Sequence, residues 1–102
     1  MTLLSREKKS YRQIAHHLEA VVMIGDQGIT DGVRQETIRA LKDHELIKVK
    51  LALTDREARN TAAATLAKDC DAEIVQSIGK VVVLYKENRK ANPKLSNVKR
   101  FE

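Results

Sequence analysis

Residues 73–86, EIVQSIGKVVVLYK, constrain the fold more than any other stretch of the chain. Two runs rich in β-branched residues are broken only at Gly79-Lys80. Runs of this kind on either side of a short glycine turn form a hairpin, here with its turn between Ser77 and Lys80. The two strands must be antiparallel, because a parallel pair needs a crossover of a dozen or more residues. A sheet therefore exists at this end of the chain, and the rest of the sequence must extend it and cover its faces.

Two earlier segments qualify as further strands. AVVMI, residues 20–24, is too short for a helix and runs into glycine, the pattern of a buried strand. ELIKVKLAL, residues 45–53, alternates, with Ile47, Val49, Leu51 and Leu53 on one face and Lys48 and Lys50 on the other. One face is buried and the other partly open. Two lysines on an open face serve solubility or phosphate contact, and their spacing does not choose between these roles.

Helical patterns fill the gaps. Ser5 is the expected N-cap of a first helix, with Tyr11, Ile14, Ala15 and Leu18 on one side. On a neighbouring side Lys8, Lys9, Arg12 and His16 line up at helical steps in a row without an acid. Thr30 or Asp31 caps a second helix ending near His44, with Ile29, Val33, Thr37, Ala40 and Leu41 facing inward. Thr54 and Glu57 have capping-box spacing for a third. Its Ala58, Ala62, Leu66 and Cys70 recur every four residues, so small side chains allow close packing on the sheet, with Arg56, Arg59 and Lys68 outside.

The expected order is helix-strand-helix-strand-helix-strand-strand. This is an α/β chain of α+β-like character, one domain over residues 1–87 with a small mixed four-stranded sheet packed by helices. The remainder, residues 88–102, is polar and basic, holds the only proline and lacks periodicity, which predicts a flexible tail. Its cations at 89, 90, 94, 99 and 100 suit electrostatic attachment to RNA without a fixed shape.

Charge narrows the function classes. Lys and Arg total 19 against 14 acids in 102 residues, a net charge of +5, which favours a polyanion, nucleic acid ahead of anionic membrane. Aromatic residues make up only 3% of the chain, so base stacking on rings contributes little. One cysteine excludes an internal disulfide, and no apolar run approaches the roughly 20 residues of a membrane span. The expected location is the cytoplasm. His16 and His17 are adjacent and cannot share a helical face, and no H-E-x-x-H or C-x-x-C spacing occurs. No catalytic constellation, metal site, cofactor or small-molecule substrate is expected.

Gly25-Asp26-Gln27-Gly28 stands between the first strand and the second helix. It is neither a Walker A loop nor a dinucleotide fingerprint, because the residues and spacing after Gly28 differ from both. A G-x-x-G turn is often only a connector. At a strand end and before a helix N-terminus it also suits phosphate, as in the backbone clamp of KH domains.

The combined segments LEAVVMIGDQGITDGV, ALKDHELIKVKL, the TDRE helix start and SIGKVVVLYK resemble the CRM domain family and its free-standing bacterial form, over about residues 3–86. The resemblance implies an RNA-binding domain whose fold is similar to the C-terminal domain of translation initiation factor three. It also implies association with precursors of the large ribosomal subunit, and therefore rRNA as partner. The family's loop falls on Gly25, Asp26, Gln27 and Gly28, and its basic surface on Lys8, Lys9 and Arg12, with Lys48, Lys50 and Lys80 as further candidates. Asp26 departs from the basic or small polar residue of many members, and Ala20 from a frequent proline. A different class remains open on the residues themselves: a protein-interaction module whose basic face docks an acidic partner on the ribosome or on an assembly factor.

Overall fold

A computed structural model describes residues 4–98. Its elements are α1 (Ser5–Ala15), β1 (Ala20–Ile24), α2 (Asp31–His44), β2 (Leu46–Leu51), α3 (Arg56–Asp69), β3 (Glu73–Ile78) and β4 (Val81–Tyr85). The order is the expected one. The strands form one sheet in the order β1-β2-β4-β3, with β1 parallel to β2 and β4 antiparallel to both its neighbours. The sheet is therefore mixed and four-stranded, as expected. Gly79, at φ +54°, supplies the left-handed residue that the two-residue β3–β4 turn needs.

Both faces of the sheet carry a core. On one, Val22, Ile24, Ile47, Val49, Leu51, Val82 and Leu84 pack against Leu41 of α2 and Ala63, Leu66 and Ala67 of α3. Cys70 lies in the same cluster, where burial pushes its thiol pKa up and keeps it a small apolar filler. Arg34 fastens the two covering helices, reaching Asp31 at 2.6 Å and Asp69 of α3 at 3.0 Å. On the other face, Ala15 of α1 packs with Leu46, Val75, Val83 and Tyr85, joined by partly buried Tyr11, Ile14 and Leu18. The Tyr11 and Tyr85 rings lie 4.8 Å apart and tilted by 37°. Burial, with the hydrogen bond that its hydroxyl donates to Tyr11 adding to it, holds the Tyr85 phenol pKa well above its usual range.

The structure corrects three local expectations. Leu4, not Ser5, precedes the first turn of α1, and its N–H donates to Glu7 at 3.0 Å. Asp55, not Thr54, caps α3 by accepting from the N–H groups of Glu57 and Ala58. A carboxylate at this end of a helix meets both the free donors and the positive dipole, so it outcompetes the neighbouring hydroxyl. Arg59 is half-buried rather than outside, because it donates to the carbonyls of Leu53 and Thr54 and ties down the β2–α3 connection. Thr30 does cap α2, accepting from Val33 at 3.1 Å.

The largest departure is the C-terminal segment. Its described part, 88–98, is not a loose tail but is packed against the end of α2 and the start of β2. A single residue, Glu45, joins those two elements, and the sharp turn puts it in the left-handed region at φ +61°. Glu45 is only 2% exposed, and its carboxylate accepts from Asn88 N–H and the Ser96 hydroxyl, each at 2.8 Å. Asn97 donates through its amide to Leu46 O and through its backbone to His44 O. His44 Nδ1 donates to Leu95 O at 2.7 Å. Val98 joins the core under α1. The segment has no periodicity because it is anchored by polar contacts rather than by a repeating apolar face. Lys99 and Arg100, expected to serve the tail, lie outside the described residues.

Candidate functional site

The α1 core covers only half of its face of the sheet. Strand alternation places Met23, Lys50, Val81 and Ile78 side by side on the remaining half, one residue per strand: Met23 pairs with Lys50, Lys50 with Val81, and Val81 with Ile78. Met23 is 61% exposed and Ile78 62%. The expected open lysine face is thus open only at the end of β2: Leu46 at its start is fully buried under α1, while Lys50 is exposed. Lys48 lies between, half-buried, and donates its ammonium to Leu18 O at 3.0 Å.

Most of the sequence-derived candidates border this surface. The bond from Leu51 N–H to Lys80 O at 2.6 Å brings the hairpin turn that holds Lys80 beside the end of β2 that holds Lys50. Ala52 N–H donates to Ile24 O at 2.8 Å, which brings the Gly25 turn to the same end of the sheet. Lys9 and Arg12 of α1 line a groove of about 610 Å³ whose far wall is Gln76 and Ile78 of β3. Lys8 lies on α1, half-buried, and lines neither this groove nor the cavity beside it. That smaller cavity, about 210 Å³, has Val81, Val83 and Ile78 as its apolar floor and His16, Lys48 and Gln76 as its polar side. Gln76, Ile78, Val81 and Met23 are members of this surface that sequence reasoning missed. Their strands read as uniformly apolar or β-branched, and only the position of α1 decides which half stays uncovered.

The Gly25–Gly28 turn is built in a specific way. Gly28 N–H donates to Gly25 O at 2.9 Å, so this donor closes the turn instead of pointing outward. Gly28 sits at φ +71°, which favours glycine, whereas Gly25 does not need a positive φ. Asp26 and Gln27 are exposed at the tip. The start of α2 has Val33 N–H taken by Thr30 and an acid, Asp31, in its first turn. Both features reduce the pull of this helix end on an anion.

Among the described residues no group of three or more His, Cys, Asp or Glu is arranged to hold a metal ion, and no helix is long and apolar enough to cross a membrane. Residues 3–86 match the profile of the CRS1 / YhbY (CRM) domain. The chain belongs to this family. A Pseudomonas aeruginosa relative named "Probable RNA-binding protein PA4753" is 46% identical over 101 residues, covering 99% of this chain and 97% of its own. A Haemophilus influenzae relative named "RNA-binding protein" is 42% identical over 94 residues, covering 92% and 95%. The fold is similar to that of a Staphylococcus aureus protein, SAV1595, determined in solution, at a TM-score of 0.78 and 28% identity over 89% of this chain and 95% of that one. The small α+β architecture and the family membership expected from the sequence are both present.

Proposed function

We propose that this chain is a non-catalytic, cytoplasmic RNA-binding protein acting on precursor rRNA of the large ribosomal subunit. The observation that carries the reading is the set of cations on and beside the uncovered half-sheet: Lys9 and Arg12 on α1, Lys50 at the end of β2, and Lys80 in the hairpin turn. Among the described residues no acidic side chain lines the groove or the cavity. The names of the family relatives point the same way. The Gly25–Gly28 turn is a rim contact through Gln27 and the backbone at its tip, and Lys8 adds long-range attraction. Lys48, tethered to Leu18, contributes charge more than direct contact.

A titration of structured rRNA with purified protein tests this. With four phosphates neutralised, the logarithm of the affinity should fall with the logarithm of salt at a slope of about −3. The variant Lys8→Glu/Lys9→Glu/Arg12→Glu should bind at least about tenfold more weakly, since it removes three cations and adds three anions. Asp26→Lys should tighten binding about two- to threefold if the turn faces phosphate. Absence of binding by the unaltered protein at low salt overturns the reading. Co-sedimentation in a sucrose gradient tests the rRNA assignment: the protein should travel with large-subunit precursors and not with small-subunit particles.

A further inference from the structure

We infer that the uncovered half-sheet seats the bases of unpaired RNA nucleotides, while the cations around it hold their phosphates; this rests on the RNA-binding reading above. The groove and the cavity share His16, Gln76 and Ile78, so they form one continuous depression that runs from α1 onto the sheet. Its two halves differ chemically. The α1 side presents Lys9 and Arg12, suited to phosphate. The sheet side presents an apolar floor of Val81, Val83 and Ile78 beside the amide of Gln76 and the His16 ring. An amide can donate and accept at once, as the edge of a base requires.

Phosphate attraction alone does not call for large apolar side chains at the surface. Met23 and Ile78 are each more than half exposed, and the register puts Lys50 and Val81 between them in a single row. An apolar row interrupted by one cation and bordered by others fits a ligand that is flat and apolar on its faces and charged along its edge. An unpaired nucleotide has this character; a base inside a duplex presents no free face to a sheet. The lack of acids among the described lining residues favours a polyanion and disfavours a basic protein segment.

The test compares two hairpin RNAs with the same stem and the same number of phosphates, one with ordinary nucleotides in its loop and one with abasic sites there. Fluorescence anisotropy with unaltered protein should give about fivefold tighter binding to the loop that carries bases. Ile78→Ser and Gln76→Ala, checked for retained fold by circular dichroism, should narrow that ratio to less than about twofold and leave abasic binding unchanged. Lys9→Glu/Arg12→Glu should weaken both RNAs alike. Equal affinity of the unaltered protein for the two hairpins overturns the inference while leaving RNA binding intact. Binding to neither at low salt instead overturns the underlying reading. Displacement of RNA by polyglutamate of matched charge, as effective as displacement by the base-bearing hairpin, makes the face a dock for acidic protein and also overturns the inference.

Discussion

Gly25 and Gly28 bracket one turn, yet the backbone constrains them differently. A Cβ would meet nothing within 4 Å at either position, so sterics with neighbours do not separate them. Only Gly28 is left-handed, at φ +71°. Gly28→Ala should therefore lower unfolding stability by about 1 kcal/mol in urea titration, while Gly25→Ala should stay within about 0.5 kcal/mol. Glu45 shows the reverse economy. It occupies a left-handed position that glycine would tolerate better, and its buried carboxylate orders a separate part of the chain through Asn88 and Ser96. Glu45→Ala should cost about 2–4 kcal/mol, since it leaves buried donors without their charged acceptor. Trypsin should then cut after Lys90 or Lys94 at concentrations that leave the unaltered protein whole.

At the level of elements, the helices and strands were legible because each carries its own period. Thr37 and Leu41 of α2 and Ile47, Val49 and Leu51 of β2 are buried as their spacing predicts. Ends were less legible, because adjacent Thr54 and Asp55 both qualify as caps and only geometry selects between them. Asp55→Ala should destabilise by about 1 kcal/mol, and Thr54→Ala should have a much smaller effect in the same thermal melt. The segment 88–98 was illegible for a deeper reason. Its partners, Lys42, His44, Glu45 and Leu46, lie some forty to fifty positions earlier, and they contact it through amides, a hydroxyl and a carboxylate. Hydrophobic periodicity carries no trace of such contacts.

For the whole molecule, the two-faced core makes stability sensitive to alkali. Tyr85 has a folded pKa above its unfolded value of about 10, so the stabilisation it gives is complete below that pH and is lost as pH rises through the folded value. At pH 8 the Tyr85→Phe variant should be less stable by about 1 kcal/mol, having lost its link to Tyr11. By pH 11 urea midpoints should show the gap closing or reversing. The candidate site was legible as a list of cations but not as a surface. Lys9, Arg12, Lys50 and Lys80 were visible as charges, whereas the surface they share depends on where α1 comes to rest. The strand order carries a consequence for synthesis. β4 is the last strand made, yet it stands between β2 and β3. A nascent chain that has not yet reached Val81 leaves one edge of β2 open and gives β3 no sheet to join. Until the hairpin emerges, those bare edges can pair with a neighbouring chain, so the interval between the making of β2 and of β4 is when this protein most needs protection from its own copies.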